Sequence, residues 1–188
     1  MESPLPDGPA RSRCAELVLP HLNSAYNLAR WLSRNDADAE DIVQDALLRA
    51  YRGFDGLRGT EVKPWLLAIV RNCFLTSVRR KRPGQAPRSE VEDAAAEGAL
   101  ERLVSNDDPE RATLEAEQAR SLEAALAALP PLYREVLVLR ELEDLSYQEI
   151  ATITDAPLGT VMSRLARARA ALRTQWQTMS GGSADALP

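Results

Sequence analysis

The chain of 188 residues contains one histidine, His21, and two cysteines, Cys14 and Cys73. A metal centre needs several His, Cys or carboxylate ligands at close spacing, and a hydrolytic triad needs a histidine beside its nucleophile. Neither pattern is present, nor is a glycine-rich nucleotide loop, so no cofactor, no metal and no catalytic residue is expected. His21 lies on an apolar helix, where structural burial accounts for it. No apolar run reaches the roughly 20 residues of a membrane helix. The start, Met1-Glu2-Ser3-Pro4-Leu5-Pro6-Asp7, lacks the basic flank and apolar stretch of a secretory signal, so a cytoplasmic location without membrane insertion is expected. There the two distant cysteines are free thiols, and Cys73, between Asn72 and Phe74, fills core space.

Phe, Trp and Tyr together make up 5% of the chain. With Ala, Leu and Val dominating the apolar set, the composition favours small helical domains packed through aliphatic ridges. The net charge of -5 conceals segregation along the sequence. Residues 79–82 read Arg-Arg-Lys-Arg, residues 89–117 carry ten acids against two arginines, and 160–173 contain only basic charges. Local fields therefore say more about nucleic-acid binding than the mean does.

The periodicity yields an all-α chain of two small helical domains joined by a flexible linker. After a disordered leader over 1–12, a helix over 13–33 carries Leu17, Leu22, Ala25, Leu28, Ala29 and Leu32, with a kink or break at Pro20. Asp38 is positioned to cap a second helix, whose buried face is Ile42, Val43, Ala46, Leu47, Ala50 and Tyr51. The three glycines of 53–60 mark a loop. A third helix starts near Val62 or Lys63 with Pro64 in its first turn, and ends in the basic run before Pro83. The first domain spans 13–82. An acidic linker follows over 83–111, with a helical turn near 99–104. The second domain spans 112–176, and 177–188 form a disordered tail. Its first helix, over about 109–128, ends at Pro130-Pro131; a segment over 132–142 follows.

The most informative stretch is 145–165. Ser146 and Glu149 match the capping box of a short helix, Ala151 permits a close crossing, and Pro157 breaks the chain before a second helix. Val161 and Leu165 form that helix's core side, leaving Thr160, Ser163, Arg164 and Arg167 free to reach bases and phosphates. This is the form of a helix-turn-helix whose second helix enters a DNA major groove. Spacing alone does not separate arginines that read bases from arginines that neutralise phosphates.

Leu129-Pro130-Pro131-Leu132-Tyr133-Arg134-Glu135-Val136-Leu137-Val138-Leu139-Arg140, with Leu145-Ser146-Tyr147-Gln148-Glu149-Ile150-Ala151 and Pro157-Leu158-Gly159-Thr160-Val161-Met162-Ser163-Arg164-Leu165, resembles region 4 of the extracytoplasmic-function (ECF) sigma factors, small bacterial RNA polymerase subunits of the sigma-70 type. Residues 38–51 resemble region 2.2, and Lys63-Pro64-Trp65-Leu66-Leu67-Ala68-Ile69-Val70-Arg71-Asn72 resembles regions 2.3 and 2.4. The resemblance covers most of the ordered chain in the family's order and spacing.

It implies an alternative, non-catalytic sigma factor that binds core RNA polymerase and directs promoter recognition and transcription initiation. Asp41, Gln44, Asp45 and Leu48 would dock on the polymerase. Phe54, Lys63, Trp65, Arg71 and Asn72, with Arg79, Arg80, Lys81 and Arg82 along the backbone, would read and melt the -10 element. Trp65 is expected to be partly core. Thr160, Met162, Ser163, Arg164, Ala166, Arg167 and Arg169 would face the -35 element. A basic residue is frequent in the family at Met162 and a larger side chain at Ala166, which leaves the -35 sequence undetermined and shifts readout towards DNA shape. The acidic linker would thread towards the RNA exit channel. The implied partners are core RNA polymerase, promoter DNA and an anti-sigma factor. The alternatives are a stand-alone helix-turn-helix regulator, which leaves the acidic helix unexplained, and a protein-interaction module binding sigma or anti-sigma proteins.

Overall fold

A computed structural model of the chain describes residues 8–54, 61–81 and 112–179. Helix α1 (Gly8–Val18) passes through a tight turn (Leu19–His21) into α2 (Leu22–Ser33). Pro20 occupies the first positions of that turn, where its missing N–H costs nothing, and the chain breaks there. Helix begins at Gly8, inside the segment expected to be disordered, and residues 1–7 lie outside the described residues. The capping of α3 (Asp36–Gly53) also differs from expectation. Asn35, not Asp38, is the cap: its backbone is extended and its side chain accepts a bond from the Asp38 N–H at 3.0 Å. Asp36 and Asp38 then lie in the first turn, favoured there by the helix dipole.

Helix α4 (Val62–Lys81) has Pro64 in its first turn and buries Leu66, Leu67, Val70, Cys73 and Phe74. Helices α2, α3 and α4 pack mutually through Ala25, Leu28, Ala39, Ala46 and Ala50, whose small or aliphatic side chains allow close approach. Each fully buried Leu contributes about 1.5–3 kcal/mol by leaving water.

The second region comprises α5 (Ala112–Ala127), α6 (Pro131–Leu137), a wide turn (Val138–Leu142), α7 (Tyr147–Thr154) and α8 (Leu158–Met179). The wide turn is a π-type insertion in which the Glu143 N–H donates back five residues to the Val138 carbonyl at 3.0 Å. Helix α8 passes the expected boundary at 176, and Gln175 and Trp176 remain half-buried on it. The expected linker, its helical turn near 99–104 and the tail beyond 179 lie outside the described residues. Among the described residues, no helix is long and apolar enough to cross a membrane, and no group of three or more His, Cys, Asp or Glu could hold a metal ion. Both cysteines are free and buried.

The two helical regions do not stand apart. Helix α4 packs on α7 and α2 packs on α6, so that buried side chains of both regions form one continuous cluster. Arg134 ties this junction. It is 2% exposed, and its guanidinium donates to the carbonyls of Leu126, Ala127 and Leu129 (3.2, 3.0 and 2.9 Å) at the end of α5, and to the Trp31 carbonyl of α2 at 3.1 Å. Burial, reinforced by Arg34, lowers its pKa to about 10. It therefore stays charged at neutral pH, and the negative end of α5 together with four carbonyls compensates a cation that has no carboxylate partner among the described residues.

Candidate nucleic-acid and polymerase interfaces

Three surfaces collect the residues singled out by sequence. On α3, Asp41, Gln44, Asp45 and Leu48 are all exposed, and their three- and four-residue spacing puts them along one side of the helix. Leu48 is 49% exposed, an aliphatic group beside two carboxylates. An open groove of about 370 Å³ adjoins this face between α2 and α3, lined by Leu22, Tyr26, Val43 and Leu47 with Gln44 at its edge. The face is suited to a partner with basic and apolar groups.

The second surface is built on α4. Phe54 at the end of α3 and Trp65 in the first turn of α4 meet edge to face, with ring centroids 6.4 Å apart at 70°. Both are half-buried, so Trp65 is partly core as expected. Asn72, Arg79 and Arg80 are exposed; Arg82 lies outside the described residues. The other cations are engaged within the molecule. Lys81 Nζ contacts Asp38 Oδ1 at 2.5 Å. Arg71 Nε donates to Glu135 Oε1 at 2.6 Å. Lys63 Nζ donates to the Glu143 carbonyl at 2.7 Å and lies 3.0 Å from Glu143 Oε2. Glu135 and Glu143 belong to the second region, and their side chains are only 6% and 2% exposed.

Sequence reading missed this pairing. The available signal was Arg134-Glu135 inside the otherwise apolar run 132–139. Charges there are rarely buried unpaired, but the identity of a partner 64 residues away is not a local property.

The third surface is the helix-turn-helix. Ser146 caps α7 with the full reciprocal box: its hydroxyl accepts from the Glu149 N–H at 3.2 Å, and Glu149 Oε2 accepts from the Ser146 N–H at 2.6 Å. Asp155 ends the helix in the left-handed conformation (φ 50°), which short polar side chains tolerate better than most. The Pro157 carbonyl then accepts from the Thr160 and Val161 N–H groups at 2.8 and 3.1 Å, starting α8. Val161, Leu165 and Ala168 are fully or almost fully buried, and Ala151 is 8% exposed at the crossing.

The opposite side of α8 presents Met162, Ser163, Ala166 and Arg167 to solvent, with Thr160 and Arg164 half-buried at its flanks. The Ser163 hydroxyl donates to the Thr160 carbonyl at 3.0 Å. Arg164 and Arg167 form no ion pair with described residues. Arg169 instead donates from Nε and Nη2 to Glu141 Oε1 (3.1 and 2.8 Å), and hydrogen bonds to Glu141 and Tyr147 hold its guanidinium protonated still more firmly. An added Cβ at Gly159 would meet nothing within 4 Å, so packing inside the protein does not require glycine there.

Comparison with known proteins finds a family model in each of the two regions. Residues 17–83 match Sigma-70 region 2, and residues 119–172 match Sigma-70 region 4. The ECF RNA polymerase sigma factor SigW of Bacillus subtilis is 32% identical over 163 residues, covering 86% of this chain and 87% of that protein. The chain belongs to the ECF family of RNA polymerase sigma factors.

The ECF sigma-E factor of Escherichia coli is 37% identical over 147 residues, spanning 76% of this chain and 75% of that one. SigE of Mycolicibacterium smegmatis is 36% identical over 84% of this sigma factor, which spans only 59% of that longer relative. Among solved structures, the sigma factor RpoE of Bartonella quintana, in complex with the anti-sigma factor NepR, superposes with a TM-score of 0.65 at 28% identity. The match covers 89% of this chain and 96% of that one. CnrH, in complex with the cytosolic domain of CnrY, shares the fold (TM-score 0.60, 23% identity, 90% and 94% covered). This sigma factor is thus a non-catalytic specificity subunit, acting through RNA polymerase binding and promoter recognition.

Proposed function

We propose that the three surfaces divide the work of promoter recognition. The exposed face of α3, centred on Asp41, Gln44, Asp45 and Leu48, docks on core polymerase. The Phe54–Lys63 loop ends, Trp65 and the cations of α4 capture and open the -10 element. The exposed side of α8 enters the major groove at the -35 element. The observation that carries this reading is α8: Val161, Leu165 and Ala168 lie fully inside while Met162, Ser163, Ala166 and Arg167 form one solvent-facing side. At the -10 element no nucleotide hydrolysis is required. Each unstacked step costs a few kcal/mol, offset by base capture and phosphate contacts.

An anti-sigma partner is also inferred, supported by the complex of the Bartonella quintana relative with NepR. Reconstituted transcription with core enzyme and a genomic promoter library, with transcript starts sequenced, tests the whole assignment. Start sites sharing both elements are expected. Charge reversal at Asp41 and Asp45 should weaken core binding in a pull-down titration with helicity unchanged. Unaltered affinity removes α3 from the interface.

A further inference from the structure

The side of α8 that faces away from the core is short of hydrogen-bond donors. Leu158, Met162 and Ala166 follow one another at four-residue spacing and are all exposed, Met162 at 52% and Leu158 at 42%. Gly159, also exposed, adds no side chain beside them. Ser163 spends its hydroxyl proton on the Thr160 carbonyl at 3.0 Å, which leaves it lone pairs alone. Arg167 is the exposed cation next to this strip, and Arg164 is half-buried at its flank.

A thioether or a methyl group cannot neutralise a phosphate, and neither donates to the O6 and N7 acceptors of guanine. What such groups can read in a major groove is the apolar feature of its base edges, the C5-methyl group of thymine. We propose that Met162, with Ala166 beside it, reads a thymine C5-methyl group in the -35 element, so that part of this sigma factor's promoter preference is an apolar contact. This rests on the assignment of α8 to the -35 major groove.

A single exposed methionine is ordinary on a protein surface. Position and company distinguish this one. Met162 lies in the second turn of α8 (Leu158–Met179), and the N-terminal residues of a recognition helix are those that reach base edges. Its unbranched side chain reaches further than Ala166 one turn on, and the small Ala166 leaves room for a methyl group beside the sulfur. Residues 158–179 contain no acid, so on α8 itself only cations flank the strip. A groove walled by phosphates fits that pattern better than the apolar face of another protein. Removing one methyl group from such a contact should weaken binding about fourfold, or ~0.8 kcal/mol at 1.4 kcal/mol per tenfold.

The test uses the holoenzyme and promoter duplexes carrying the -35 element found from transcript starts. Each thymine of that element, on either strand, is replaced in turn by deoxyuridine, which deletes the methyl group and leaves pairing and every hydrogen-bonding group in place. At one position the unmutated holoenzyme should bind the deoxyuridine duplex about fourfold more weakly. In the M162A holoenzyme the same exchange should change nothing, because the group that felt the methyl is gone. Met162 is exposed, so this variant leaves the core of the domain intact. Deoxyuridine tolerated at every position, a penalty that persists in M162A, or a -35 element without thymine on either strand overturns the methyl contact. The assignment of α8 then stands so long as a scrambled -35 duplex binds more weakly than the cognate one. Equal binding of cognate and scrambled duplexes overturns the assignment of α8, and the methyl contact with it.

Discussion

Helices α4 and α8 are both basic, yet they hold their charges in opposite ways. On α4, Lys63, Arg71 and Lys81 each meet a carboxylate of another element, two of them across the junction between regions. On α8, Arg164 and Arg167 are unpaired among the described residues, and only Arg169 is tied down, by Glu141. A basic helix in a sequence is therefore not the same as an available basic surface. The same guanidinium can be a binding group or an internal strut, depending on which acid the fold brings to it.

The largest break in this contrast should come from Arg134→Ala. It removes the group that closes the end of α5 and reaches Trp31, leaving buried carbonyls unpaired and a void behind. About 3–5 kcal/mol of stability should be lost, read as a lower midpoint in urea denaturation. An unmoved midpoint would show that these four carbonyl contacts contribute nothing to stability.

Next in size are the free arginines of α8. Arg167→Ala should cost the holoenzyme about 1–3 kcal/mol on a cognate -35 duplex and relax specificity there. Arg164→Ala, half-buried beside the Leu165 core position, should mainly lower the slope of log affinity against log salt, by roughly one unit. Binding to cognate and scrambled duplexes across salt concentrations separates the two. Equal loss on both duplexes for the Arg167 variant would assign it to phosphate.

Smaller still is Gly159→Ala. The open surroundings of Gly159 predict that the free protein gains up to about 1 kcal/mol from better helix propensity. If DNA backbone approaches the start of α8 closely, the same change weakens -35 binding, so stability and affinity move in opposite directions. Parallel gains in both would leave that glycine without a role at the DNA.

The smallest effect sharpens the comparison by its absence. Burial pushes the Cys73 and Cys14 thiols up, so both should resist alkylation in the native protein. Rapid labelling would show that the core around these thiols opens in the native protein.

Much of the site was legible because its determinants are local. The capping box of Ser146 and Glu149, the break at Pro157 and the four-residue spacing of Val161 and Leu165 all act within one or two helical turns, and each is realised. The acidic side of α3 was readable for the same reason, although its cap proved to be Asn35, since Ser33 through Asp38 offers several competent capping groups and geometry selects among them.

The sequence by itself determined an all-helical chain with two regions, a helix-turn-helix with its inner and outer sides, and the segregation of acidic and basic charge. Each follows from residue spacing along a helix or from turn chemistry, which depend on neighbours a few positions away. Only the tertiary structure decided which cations are spent inside the molecule. Arg71 and Glu135 are 64 residues apart in sequence, and Lys63 and Glu143 are 80 apart. No periodicity links such pairs; packing of α4 on α7 and α2 on α6 brings them together, and burial then makes a carboxylate the partner each cation requires.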